Sequence, residues 1–226
     1  MANHLDLEEQ EQLDQLKHFW NSWGVIIGSI LLVIFGSVAI WSGYQFWQNS
    51  QALQAAFLLD AVENAVQVND ETRLEQAFTD IRKKYSSTTQ AGQAGLMVAK
   101  FEIEKGNFNA GQAALEWVSV HSSDEGYKAL ANLRLADIMI DRKSYDSALQ
   151  YLSNKFAIEF DAIVADRKGN IFSLKNKKQE AISEYTRAYA SLSDGTDYRR
   201  LLEVKLSAFG LQPKVLADLT TTEAIK

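Results

Sequence analysis

Residues 24–44, GVIIGSILLVIFGSVAIWSGY, run for 21 positions without a charge, and eleven of them are Val, Ile, Leu or Phe. As a helix this stretch is roughly 31 Å long, the thickness of the hydrocarbon layer of a bilayer. Those eleven side chains favour insertion by about 3–7 kcal/mol together, with no charge to offset them. The segment therefore predicts a transmembrane anchor in contact with membrane lipid. The uncharged run around it reaches from Phe19 to Leu59, in a chain where 23% of positions are charged.

Both ends of the span carry amphipathic aromatic rings, which collect where lipid meets water. Trp20 and Trp23 mark one end, and Trp41, Tyr44, Phe46 and Trp47 mark the other. A core helix of a soluble protein needs no such belts. Ser37-Val38-Ala39 has the small residues of a signal-peptidase site. Against cleavage, Asp6, Glu8, Glu9, Glu11 and Asp14 face Lys17 alone, the wrong charge for the start of a signal peptide. The reading is an uncleaved anchor.

Orientation follows basic residues near the span. Lys17 and the N-terminal amine lie on one side, and the next basic residue on the other side is Arg73. This places the N-terminus in the cytoplasm and, in a Gram-negative cell, the C-terminal domain in the periplasm. The divisions expected are an acidic cytosolic tail and interface at 1–23, the anchor at 24–44, a repeat domain at 45–210 and a C-terminal tail at 211–226. Within the span, Ser29, Gly36 and Gly43 recur every seven residues. This spacing reads either as a transmembrane packing stripe or as the ordinary Gly and Ser content of membrane helices.

Beyond the anchor the chain is helical. One proline and 12 glycines in 226 residues do not supply the turns of a β-sandwich or barrel. Apolar spacings of three and four predict helices near 51–67, 72–85, 90–105, 108–120, 125–141, 145–154, 160–174, 178–192 and 197–209. Small residues recur twelve apart, one in each helix of a hairpin: Ala65 and Ala77, Ala99 and Gly111, Ala136 and Ala148, Gly169 and Ala181. Phe108 and Tyr145 open second helices, and Ile81, Leu115, Leu152 and Tyr185 follow the second small residue by four. The pattern resembles the tetratricopeptide repeat, without that family's closing proline or leading Trp. The fold class expected is all-α, a single transmembrane helix followed by a tetratricopeptide-like helical-hairpin solenoid.

No catalytic or metal-binding chemistry is legible. There is no cysteine, and the three histidines lie at 4, 18 and 121. His121 reads as a solvated helix end, Asp137 and Asp141 as surface charges and Trp117 as a core aromatic. No phosphate loop, HExxH or nucleophile elbow occurs, so no cofactor and no enzymatic activity are expected. The net charge of −6 argues against nucleic acid. A repeat array points instead to a binding surface. Its partner-binding groove would be lined by Leu96, Lys100 and Ile103, then Leu133, Asp137 and Ile140, then Asp166 and Asn170, unless part of this set is core. No Lys/Arg set for a carboxylate is evident there.

Lys128-Ala129-Leu130-Ala131-Asn132-Leu133-Arg134-Leu135-Ala136 and Ala162-Ile163-Val164-Ala165-Asp166-x-x-Gly169 resemble the YfgM family, the ancillary subunit of the SecYEG translocon. The resemblance covers nearly the whole chain up to Leu211. It implies an inner-membrane, single-pass protein whose C-terminal domain is periplasmic. Its implied partners are SecYEG, the membrane-anchored chaperone PpiD and a cytosolic regulator at the N-terminal tail. The expected function is a non-enzymatic adaptor that helps pass translocated proteins to periplasmic chaperones. The alternative is a structural envelope or division adaptor that binds cell-wall assembly proteins.

Overall fold

The computed structural model describes residues 7–193 and 195–211, with side chains from Asp14 onward. The expected C-terminal tail beyond Leu211 and most of the acidic N-terminal charges lie outside the residues whose side chains are described. Among the described residues the fold is helical, without strands. The helices are α1 (Leu7–Gln67), α2 (Glu71–Lys84), α3 (Thr89–Glu104), α4 (Phe108–His121), α5 (Glu125–Asp141), α6 (Tyr145–Tyr151), α7 (Asp161–Leu174), α8 (Lys178–Ala190) and α9 (Asp197–Ala208), with a 3₁₀ turn at Ile158–Phe160 before α7.

The sequence separates an anchor ending at 44 from a helix over 51–67, whereas the structure makes both part of α1. The intervening QFWQNS has neither proline nor glycine to stop a helix. The chain divides into two compact units at Gln51/Ala52. In the first unit, the apolar stretch of α1 has none of its residues buried and is long and apolar enough to cross a membrane.

The second unit is a stack of four helix hairpins closed by α9. Each hairpin turns through a residue in the left-handed region: Asn69 (φ 57°), Gly106 (φ 86°), Lys143 (φ 58°) and Asn176 (φ 58°). The next N–H reaches back five residues in every case: Asp70 to Ala65 O (2.9 Å), and Asn107 to Glu102 O, Ser144 to Met139 O and Lys177 to Phe172 O (2.8 Å each). This is the Schellman closure, which satisfies carbonyls that a helix end leaves free. Asp70, Thr88, Asp124 and Thr196 cap α2, α3, α5 and α9 through side-chain oxygens, contacts worth about 1 kcal/mol each.

These turns fix the register and correct the first repeat. The small pairs Ala99/Gly111, Ala136/Ala148 and Gly169/Ala181 lie seven before and five after their left-handed residues. The same offsets from Asn69 give Val62 and Leu74, not Ala65 and Ala77. Val62 and Leu74 are both buried. Phe78, rather than Ile81, then matches Leu115, Leu152 and Tyr185, and Glu71 opens α2 as Phe108, Tyr145 and Lys178 open theirs. The steps are 37, 37 and 33 residues rather than the 34, 37 and 33 of the alanine spacing. Alanines on neighbouring positions of the same apolar faces reproduce a spacing of twelve in a false register.

Close approach within hairpins accounts for two of the small residues. A Cβ at Gly111 would lie 2.6 Å from Ile103 Cγ1 and 3.0 Å from the Ala99 carbonyl. One at Gly169 would lie 2.6 Å from the Tyr185 ring. Between hairpins, the basic residue before each of the last three left-handed turns reaches back to the first turns of the preceding second helix. Lys105 Nζ is 3.8 Å from Glu71, Arg142 donates to Gln112 Oε1 at 2.7 Å, and Lys175 donates to Asp146 at 2.6 Å. The Lys175 ammonium holds the Asp146 carboxyl below its ordinary range.

Helix α6 ends at Tyr151, short of the expected 154. Asn154 leaves the helix to donate to Asn132 Oδ1 at 2.7 Å, and Phe156 and Phe160 fold onto the cluster of Leu133, Leu152, Val164 and Ile171.

Candidate functional site

Successive first helices, α3, α5, α7 and α9, carry the residues expected to line the groove. Between α3 and α5 an open cavity of about 510 Å³ is lined by Leu96, Met97, Lys100 and Ile103 of α3 and by Leu130 and Arg134 of α5, with Leu115 among its apolar residues. The two cations are loosely held. Lys100 lies 3.8 Å from Glu104 and Arg134 lies 3.9 Å from Asp137, and all these side chains except that of Asp137 are well exposed. Exposed pairs of this length contribute little. The cavity therefore offers a largely apolar lining with two loosely held cations, and Gln93 and Glu104 also line it.

The rest of the expected set is engaged elsewhere. Leu133 is buried in the cluster shared by α5, α6 and α7, and Ile140 packs against that cluster. Asp137, expected as a surface charge, is half-buried and takes two hydrogen bonds from Arg167, at 2.8 Å from Nε and 3.0 Å from Nη2. Asp141 is exposed at the end of α5. Asp166 is only 5% exposed, accepting from Lys205 Nζ at 2.5 Å and from the Tyr198 hydroxyl at 2.9 Å. Asn170 Oδ1 accepts from the Tyr185 hydroxyl at 2.8 Å and from Lys205 at 3.0 Å. Of the eight residues, the structure brings Leu96, Lys100 and Ile103 together on the open cavity. Side chains of α9 cover Asp166 and Asn170.

Burial and the Asp166 charge act together on the two tyrosines of this closed end. Burial first, and the carboxylate second, push the Tyr185 phenol up to about 12 and the Tyr198 phenol higher still. A phenolate beside a buried carboxylate is doubly disfavoured.

Met97, Leu130 and Arg134 complete the cavity and were not among the expected residues. Arg134 adds a second cation to the cavity beside Lys100. The repeat steps could have found it, because Met97, Arg134 and Arg167 hold one place in three hairpins, and Lys100, Asp137 and Asn170 hold another.

Histidine chemistry is absent from the cavity. His121 is exposed, its Nδ1 is 3.0 Å from the Trp117 carbonyl and its ring stacks on the Trp117 indole with centroids 5.2 Å apart. Trp117 meets Phe78 edge-on at 5.7 Å and packs on the core while remaining partly open. Among the described residues no group of three or more His, Asp or Glu stands together as a metal site. On α1, Ser29 donates to the Val25 carbonyl at 2.8 Å, and the Cβ positions at Gly36 and Gly43 are open.

The family model described as a tetratricopeptide repeat-like domain matches residues 17–211. An ancillary SecYEG translocon subunit of Neisseria gonorrhoeae is 30% identical over 212 residues, 92% of this chain and 99% of the relative. Proteins of the same name from Haemophilus influenzae and Escherichia coli are each 29% identical. The first alignment covers 82% of this chain and 90% of the relative, the second 78% and 85%.

Proposed function

The chain belongs to the family of ancillary SecYEG translocon subunits, and on that premise we propose that it is an inner-membrane adaptor at the translocon. It has no enzymatic role in this reading and helps pass translocated proteins to periplasmic chaperones, with PpiD as a membrane-anchored partner. The supporting observation is the extent of the match, because residues 17–211 take in the apolar span and the repeat stack together. Residues 24–44 span the inner membrane once. The tail at 1–23 is cytoplasmic, where a regulator reaches it, and residues 45–210 form the periplasmic repeat domain, followed by a tail at 211–226.

Anchoring raises the concentration of the repeat domain near the translocon by confining it to the membrane surface. Ser29, Gly36 and Gly43 form the face that packs on a neighbouring helix. The α3/α5 cavity is the binding surface, with Leu96, Met97, Ile103 and Leu130 taking apolar side chains while Lys100 and Arg134 hold nearby polar groups. Leu133, Asp137, Ile140, Asp166 and Asn170 support this surface from behind or close its far end.

Two measurements test the proposal. Since the chain has no cysteine, Val204→Cys provides a single thiol. An impermeant maleimide added to spheroplasts labels it if the domain is periplasmic, whereas labelling only after lysis reverses the topology. Photo-crosslinkers at positions 29, 36 and 43 should give adducts with SecY or PpiD. Adducts confined to this chain itself would sink the translocon assignment.

A further inference from the structure

The register set by the turns exposes a second surface, at the opposite end of the stack from α9. Counted from their left-handed residues, Phe57 of α1 stands where Ala94, Ala131 and Val164 stand on α3, α5 and α7. Those three are 0%, 0% and 5% exposed, and Phe57 is 67% exposed. Ala61, at the place of the buried Val98 and Leu135, is exposed as well.

What covers this row elsewhere in the stack is visible at α3. Ala94 and Val98 share a buried cluster with Leu74, Phe78 and Ile81 of α2, in the preceding hairpin. Those three residues fall at i, i+4 and i+7, one face of a helix. Among the described residues no hairpin precedes α1, and a cleft of about 410 Å³ lies open there. Leu58, Ala61, Ala65 and Val68 of α1 and Ala77 of α2 give it an apolar lining, with Arg73 and Asp80 beside them. The alanines that mislead the repeat count are thus part of this cleft. Repeat stacks ordinarily close such ends with polar caps, and this one leaves Phe57 and Val68 in the open.

We propose that this open end is a docking surface for an amphipathic helix of a partner polypeptide. The helix continues the stack in place of a preceding hairpin's second helix. Its chemistry is set by the interface it extends, with bulky apolar residues at i, i+4 and i+7 as in Leu74, Phe78 and Ile81. A second copy of this chain does not supply that face through its other end. There the open face of α9 carries Leu201, Val204 and Ala208, spaced i, i+3 and i+7 and set among Asp197, Arg200 and Ser207, out of step with Leu74, Phe78 and Ile81.

The test uses the full chain in detergent micelles and a labelled peptide of residues 69–86, kept helical by a staple between positions 72 and 76. The peptide should bind saturably. Phe57→Asp and Ala61→Arg should weaken it at least tenfold, with unchanged thermal melts, while Val120→Asp, at an exposed position of α4, should have no effect. Absence of saturable binding, or equal binding to the Phe57 and Ala61 variants, overturns the proposal. So does self-association of the full chain in sedimentation that Phe57→Asp abolishes, because the surface would then be a contact between copies.

Discussion

Lys205 Nζ lies 2.5 Å from Asp166 Oδ1, joining α9 to α7 through an acid that is almost fully enclosed. Removing one partner of such a pair leaves a buried charge uncompensated, a more serious loss than removing both. Lys205→Met, or Asp166→Leu alone, should therefore destabilise the repeat domain, the first by about 3 kcal/mol. The double variant Lys205→Met with Asp166→Leu should recover most of that. Denaturant melts of the four members of the cycle measure the coupling, and additive losses would show that the pair is not coupled.

The tyrosines of the same end give a pH dependence of definite sign. Tyr185 is raised to about 12 and Tyr198 is raised further, so the folded state favours their neutral forms. Their contribution is complete below the ordinary tyrosine value of about 10 and is lost as pH rises through the folded values. Stability should hold to about pH 10 and fall above it. Tyr198→Phe should lower the plateau, through its lost bond to Asp166, and flatten the alkaline decline. Melts between pH 8 and 12 check this, and an unaltered slope would contradict it.

Lys143 adopts φ 58° in a turn where the second hairpin has Gly106 and the others have asparagine. A non-glycine side chain in this region costs about 1 kcal/mol. Lys143→Gly relieves the strain and adds freedom to the unfolded chain, so a net stabilisation of about 0.5 kcal/mol is expected. A lower melting temperature in the variant would show that the Lys143 side chain contributes more than its backbone costs.

At Gly111 the opposite holds. A methyl group there meets Ile103 at 2.6 Å and the Ala99 carbonyl at 3.0 Å, so α3 and α4 would have to separate. Gly111→Ala should cost about 1–3 kcal/mol despite alanine's better helix propensity. A neutral or stabilising result in a denaturant titration would mean that the hairpin is looser than its geometry.

Much of this architecture is legible in the sequence because helix ends and apolar periods are local signals. The second helices are legible to within a few residues, since Gly106, Asn107, Lys143 and Ser144 punctuate the chain where the turns occur. The first hairpin's register is not, because Ala65 and Ala77, three residues away, share the spacing of Val62 and Leu74. Only the backbone at Asn69 separates the two registers. The closed end of the groove was not legible, since Tyr198 and Lys205 reach Asp166 from 32 and 39 residues away. Arg134 was within reach, at a repeat step from Met97 and Arg167, once the register was known.

The proposed binding role of the α3/α5 cavity is tested by a photo-crosslinker in place of Leu130, on the cavity wall. In membranes carrying a secretory chain stalled in SecYEG, a cavity that takes up that chain gives an adduct between it and position 130, weakened by Leu96→Asp. No adduct from position 130, while a probe at the exposed Val120 crosslinks the same chain, would contradict that role.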